Sequence, residues 1–370
     1  MLKNQKKARL ILADGTVYHG YSFGAEGSAV GEVVFTTGEV GYQETLTDPS
    51  FYGQLVVQTF PLIGNYGVNG EDFESDGVHF RGYIVREWCE TPSNFRMTGN
   101  LDEFLKKYQV VGICGIDTRA LTRKIREVGV MNGMVTTDDA LDLDKALEEL
   151  RAFAIVDAVR SVSVTQRQFF PAENPRFHVA LMDFGYKYNI RRRLTGLGCD
   201  VTVVPALTTA QELRELGVDG IMLSNGPGDP AENVQVIENL KEIVKLGIPI
   251  FGICLGHQLM ALAMGATTSK MKYGHRGGNQ PVTDLEQKRT YITSQNHGFA
   301  VDASTIPAKI GHVSHVNAND KSCEGVRYTA FPCFTVQFHP EACSGPHDTG
   351  YLFGEFIDLM AASKEDATCR

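Results

Sequence analysis

The sequence has little of what would place it in a membrane, on a nucleic acid or in a disulfide-stapled fold. No stretch approaches the roughly 18 consecutive apolar residues of a membrane-spanning helix, so none is expected to cross a bilayer. The N-terminal MLKNQKKARLILADG starts basic, but its apolar run is only Leu10–Ala13 before Asp14, too short for a signal-peptide core. Basic residues are outnumbered, 35 Lys and Arg against 44 Asp and Glu, for a net charge of −9. That argues against non-specific nucleic-acid binding, which depends on cationic excess. The eight cysteines (89, 114, 199, 254, 323, 333, 343 and 369) contain no C-x-x-C pair, which excludes a zinc framework and a secreted disulfide pattern. They fit a reducing, cytoplasmic setting in which most serve as small hydrophobes. No metal site is expected. No Walker-type or kinase-type phosphate loop occurs, so no ATP site is expected in this chain either.

What is present is a soluble, globular composition, 43% hydrophobic and 21% charged, in 370 residues, which is long enough for two domains. Residues 1–151 read as mixed α/β. Asp14-Gly15 between Leu10–Ala13 and Val17–Tyr21 signals a hairpin, and Leu55–Phe60 and Gly82–Glu87 read as strands. NLDEFLKKY predicts a helix capped by Asn100 with Glu103 at the box position; Thr118–Val128 and Leu143–Leu150 have the same apolar spacing. The stretch 152–176, with two prolines and no periodicity, is expected to be a linker.

Residues 177–370 alternate strand and helix: HVALMDFG then KYNIRRRLTGLG, CDVTVVPA then TAQELRELG, VDGIMLSNGPG then 234–246, IPIFGICLG then HQLMALAMG. Such units predict a doubly wound, mostly parallel sheet, with shorter strands and loops over 267–340 and a closing helix in GYLFGEFIDLMAAS. Ligands on such sheets bind beyond the carboxyl ends of the strands. DFG (183–185), NGPG (225–228) and GICLG (252–256) all fall there.

GICLG places Cys254 between two glycines at a strand-to-helix turn, the cysteine counterpart of a nucleophile elbow. The following helix would aim its N-terminal amides at the sulfur. Taken blindly, a cytosolic cysteine is more often inert core filler. A thiol nucleophile needs an acid–base partner. His339, in CFTVQFHPEA, has Glu341 two positions on, and period 2 puts both on one face of an extended segment, the arrangement of a Cys-His-Glu triad. By itself H-P-E reads more readily as a strand-end histidine in a surface turn; the candidate nucleophile elsewhere makes it the better candidate for a base. NGPGDP is turn-like by composition, yet Gly226 and Leu255 are candidates for the two backbone N–H donors that acyl transfer requires.

PIFGICLGHQ, LSNGPGDP and VQFHPE, in that order, resemble the class I glutamine amidotransferase family across about 177–361. FTTGEVGYQETLTDPSFYGQ (35–54), TFPLIGNYGVN (59–69) and GIDTRALTRKIRE (115–127) resemble the N-terminal domain of the carbamoyl-phosphate synthase small-subunit family; SQNHGFAVD and MKYGHRGGNQPV also resemble that family. The resemblance implies Cys254 as nucleophile, His339 as base and Glu341 as its orienter. It implies glutamine contacts from Ser50, Gly226, Gly228, Leu255, Gln258, Asn296, Gly298 and Phe299. It also implies a large synthetase subunit as partner, which receives ammonia through an enclosed path and makes carbamoyl phosphate from bicarbonate and ATP, with ATP and magnesium held by that partner. Two segments depart from the usual pattern: PEACSGPHD around Cys343 and Ser344, expected to alter only local loop shape, and KYNIRR (187–192), with no expected effect on chemistry. Competing readings are the glutaminase of another synthetase, a γ-glutamyl hydrolase or cysteine peptidase on the same sheet type, and a non-catalytic scaffold. The N-terminal segments speak against the first, and the intact Cys, His and Glu against the last.

Overall fold

A computed structural model describes residues 6–368; the first five residues of the basic N-terminal stretch and Cys369 lie outside the described residues. The chain divides into two compact units at Ala158/Val159.

In the first unit β1 (Lys7–Leu12) and β2 (Val17–Gly24) form the expected hairpin. Gly15 takes φ 85°, and Asp14 Oδ1 accepts from Thr16 N at 3.0 Å. Then follow β3 (Ser28–Thr36), α1 (Tyr42–Thr47), β4 (Gln54–Gln58), β5 (Leu62–Ile63), β6 (Gly82–Ile84), β7 (Glu87–Trp88), α2 (Leu101–Lys107), β8 (Val111–Cys114), α3 (Thr118–Val128), β9 (Met131–Thr136) and α4 (Leu143–Ala152). Asn100 caps α2 by accepting from Glu103 N at 2.9 Å, and Asp117 caps α3 by accepting from Ala120 N at 2.9 Å. The order β1-β2-β8-β6-β4-β3-β9 closes into a barrel, sealed by β1 against β9 with Leu10 opposite Val135. The elements are the mixed α/β set expected; the closure is an addition, made by pairing segments from opposite ends of the unit.

The segment 152–176, expected as a linker, carries α5 (Ala158–Val162) and β10 (Gln168–Phe170). The alternating region supplies β11 (Phe177–Asp183), α6 (Tyr188–Gly196), β12 (Cys199–Pro205), α7 (Ala210–Leu216), β13 (Gly220–Leu223), α8 (Val234–Ile243), β14 (Ile250–Ile253) and α9 (Leu255–Ala263). After them come β15 (Thr268–Asp284), β16 (Arg289–Val301), β17 (Gly311–Asn317), β18 (Cys323–Tyr328), β19 (Cys333–Val336) and α10 (Tyr351–Thr368). The sheet runs β10-β12-β11-β13-β14-β19-β18-β17-β15-β16. From β12 to β19 neighbouring strands are parallel, and the flanks are antiparallel. So the region 267–340 is not short strands and loops: β15 and β16 form a long bulged hairpin, with register shifts between Lys270 and His275 and between Gly277 and Gln280.

Both faces of the parallel strands are covered, which explains their continuous apolar runs. Ala180 and Met182 of β11 pack with Leu213 of α7, Leu240 of α8 and Leu259 of α9. Val179 and Leu181 point the other way, into a cluster with Ile190 and Leu194 of α6 and Phe353 and Phe356 of α10. The chain reverses its winding at β11, whose neighbours are β12 and β13; the carboxyl ends of β11, β13, β14 and β19 therefore rim one crevice.

Candidate active site

Cys254 directly follows β14 and is the N-cap of α9, with φ 52° and ψ −102°. A non-glycine residue at such a conformation stores about 1–3 kcal/mol of strain and is held only by its surroundings. Here the hold is visible. Its N–H donates to Val336 O of β19 at 2.8 Å. The flanking glycines are required by close approach: a Cβ on Gly252 would sit 2.8 Å from Thr335 Cγ2, and one on Gly256 only 2.5 Å from Leu223 O. The sulfur, 2% exposed as a residue, lies 3.7 Å from Asn296 O.

β19 pairs with β14 in parallel, Val336 beside Ile253, so the chain beyond β19 runs past the same edge. There His339 and Glu341 meet, Nδ1 to Oε1 at 2.6 Å, both wholly buried. His339 N–H donates to Ser294 O at 2.9 Å, which fixes the backbone under the ring. Its Nε2 has no hydrogen-bond partner of normal geometry among the described residues. The Cys254 sulfur is nonetheless near enough to favour the charged ring. Burial and the Lys187 ammonium press the imidazole toward its neutral form, but Glu341 and Cys254 outweigh them and push its pKa up to about 9. For Glu341 burial works upward, and Lys187 and His339 reverse it, pushing the carboxyl down to about 2.

Among the other candidates, Gly226 lies against Leu255, whose Cδ2 would be 2.8 Å from a Cβ at that glycine; Phe184 O would be closer still, at 2.1 Å. Gly228 takes φ 88°. Gln258 of α9 donates from Nε2 to Phe299 O at 2.8 Å and to Gln337 Oε1 at 2.9 Å, bracing the end of β16 against the segment after β19. Asn296, Gly298 and Phe299 are all on β16. One cluster among the described residues has donor atoms within 4.8 Å of one another as a metal site requires: His275, His297 and Glu324. Both Glu324 oxygens already lie within hydrogen-bond distance of the Gln295 and Asn317 amides, so it is a hydrogen-bonded cluster.

Residues 180–359 match the family Glutamine amidotransferase class-I, and residues 10–135 match Carbamoyl-phosphate synthase small chain, CPSase domain. The carbamoyl phosphate synthase small chain of Fusobacterium nucleatum subsp. nucleatum is 52% identical over 349 residues, covering 94% of this chain and 97% of that one. Those of Syntrophotalea carbinolica and Bacillus cereus are 49% and 50% identical, each over 97% of this chain and 99% and 98% of their own. The chain belongs to the carbamoyl-phosphate synthase small chain family. Its class I amidotransferase match takes in Cys254, His339, Glu341 and every other candidate of the second unit, and its CPSase-domain match takes in Ser50. Ser50 sits in the first unit, in a 3-10 turn whose start is capped by Asp48, with Ser50 N–H donating to Asp48 Oδ1 at 2.9 Å.

Three residues to which the sequence reading gave no role gather around Glu341. Lys187 Nζ lies 2.6 Å from Glu341 Oε1, and Asn189 Nδ2 donates to the Glu341 carbonyl. Asn225 Oδ1 accepts from Lys187 N at 3.1 Å and so ties NGPG to the loop after β11. KYNIRR, expected to be neutral for the chemistry, thus reaches Glu341. The signal available was its place, directly after DFG at a strand's carboxyl end. Cys343 is exposed. No helix among the described residues is long and apolar enough to cross a membrane.

Proposed function

We propose that the chain is the glutaminase of a carbamoyl-phosphate synthase, hydrolysing L-glutamine at Cys254 and passing ammonia to a large subunit. The observation that carries this reading is the strained Cys254 elbow set beside the buried His339–Glu341 pair. Raised to about 9, His339 is a strong enough base to take the thiol proton as the sulfur attacks. Attack on the side-chain amide carbon forms a C–S bond and an oxyanion, held by the backbone N–H groups of Gly226, in the loop after β13, and of Leu255, at the start of α9. His339 gives its proton to the leaving nitrogen; the C–N bond breaks and ammonia departs. The neutral ring then takes a proton from water, whose oxygen attacks the thioester, and glutamate leaves as the C–S bond breaks. Ser50, Gly228, Gln258, Asn296, Gly298 and Phe299 are assigned to holding the glutamine, together with the two oxyanion donors. ATP, magnesium and bicarbonate belong to the large subunit.

The test is Cys254→Ser in the complex with that subunit. Glutamine-dependent carbamoyl phosphate synthesis should disappear while synthesis from free ammonia persists. Retained glutamine use would sink the nucleophile assignment.

A further inference from the structure

Behind Asn296–Phe299 lies a buried chain of polar groups that the mechanism does not use. His297 sets Nδ1 2.7 Å from Phe299 O and Nε2 2.8 Å from Gln295 Oε1. The far side of the Gln295 amide reaches Glu324 Oε2 at 3.0 Å and Thr293 Oγ1 at 3.2 Å. Glu324 Oε1 accepts from Asn317 Nδ2 at 3.2 Å, with His275 Nδ1 at 3.4 Å. Glu324, Gln295 and His297 are 0%, 2% and 5% exposed.

Counting protons leaves two arrangements. The Phe299 oxygen only accepts, so Nδ1 of His297 carries hydrogen. With Gln295 Oε1 turned toward the ring, Nε2 must carry hydrogen too, giving a buried imidazolium and a Glu324 carboxylate. Turned over, the amide fills the same volume and its NH2 donates to a neutral ring. Its oxygen then faces Glu324 Oε2 at 3.0 Å, and two oxygens that close need a proton between them. Thr293 Oγ1 donates to Gln280 O at 2.9 Å, so in the second arrangement its hydroxyl either keeps that bond or gives it up to donate to the amide oxygen. Both arrangements hold the same number of protons; the first buries two charges and the second none. Around the ring stand His275, Arg276 and His339, all of which oppose an imidazolium; around Glu324 stands His275 with its partner Asp320, and there the His275 ring favours the carboxylate against burial. Burial raises the Glu324 carboxyl against its hydrogen-bond donors and lowers the His297 imidazole, so both shifts run in the direction that favours the proton on Glu324.

We propose that Glu324 is held protonated and, through the turned amide of Gln295, fixes His297 in its Nδ1–H tautomer. Glu324 is thereby a positioning residue for the segment Asn296–Phe299, an inference that rests on the glutaminase reading above for its kinetic consequence. Phe299 O is the shared acceptor of His297 and Gln258, so it is the point where the proton's place is felt.

The experiment compares wild type, Glu324→Gln and Glu324→Leu in the full chain bound to its large subunit. Gln reproduces a protonated carboxyl, donating where the acid proton donated; Leu leaves Gln295 without its partner. Glu324→Gln should keep KM for glutamine within about twofold, and Glu324→Leu should raise it by about tenfold or more with kcat less affected. The infrared difference spectrum of wild type minus Glu324→Gln at neutral pH should contain a protonated-carboxyl stretch. A spectrum with carboxylate bands alone, or a Glu324→Gln variant as impaired in KM as Glu324→Leu, would overturn the proposal. The infrared measurement needs no glutamine, so it decides the proton's place even if wild type were to hydrolyse none.

Discussion

Replacing Lys187 by Met removes the ammonium that sits 2.6 Å from Glu341 Oε1 while keeping an apolar stem of similar length. The two side chains are 11% and 0% exposed, so solvent screens the pair poorly. At an effective dielectric of about 20 the attraction at that distance is about 6 kcal/mol before desolvation is counted, and losing one partner of a buried pair typically costs about 3–5 kcal/mol. Linkage gives a compatible figure: Glu341 is lowered from 4.5 to about 2, which corresponds to about 3 kcal/mol shared between Lys187 and His339. The expected loss at pH 7 is therefore about 2–4 kcal/mol, read on the denaturant-induced transition of the second unit. A depressed carboxylate contributes stability that is present above about 4.5 and lost as the pH falls through about 2, so the gap between wild type and variant should close in acid. The decisive control is the same substitution in a Glu341→Gln background. There the carboxylate charge is gone, and removing a buried cation should cost nothing or stabilise. An equal cost in both backgrounds would refute the electrostatic argument and leave only lost packing.

Two further outcomes are expected. Gly256→Ala sets a Cβ 2.5 Å from Leu223 O and 2.7 Å from Leu223 Cβ, and backbone cannot swing aside. It should cost about 1–3 kcal/mol in thermal unfolding and lower glutamate release as the elbow shifts; unchanged values of both would contradict the close-packing account. His339 is raised from 6.5 to about 9, so its share of stability is complete below 6.5 and is lost as the pH rises through about 9. Wild type should lose unfolding midpoint over that alkaline range, and His339→Asn should lose less, as followed by circular dichroism.

The sequence made much of the second unit legible because its signals are local. In the first unit, too, local apolar spacing marked Thr118–Val128 as observed, and in the second the strand–helix alternation from Phe177 to Ala263 came through because each parallel strand is an unbroken apolar run. The same locality explains the misses. Barrel closure depends on β1 finding β9, a pairing that no window of sequence contains. The β15–β16 hairpin was hidden by Gly274 and Gly277, which read as loop residues but occupy positive φ at the irregularities of a continuous ladder. Lys187 was hidden because its partner lies far along the chain, on the segment after β19, whereas Cys254, His339 and Glu341 each announced themselves within a few residues.

The bond from Cys254 N–H to Val336 O joins the two central strands that deliver the nucleophile and its base. That amide belongs to the stretch of backbone whose exposure requires opening the sheet itself, so it should be among the last to exchange with deuterium. Chemistry anchored there has little freedom to be tuned in place. Adjustment of turnover falls instead to the segments that rim the crevice, 225–228 and 294–299, whose amides should exchange sooner.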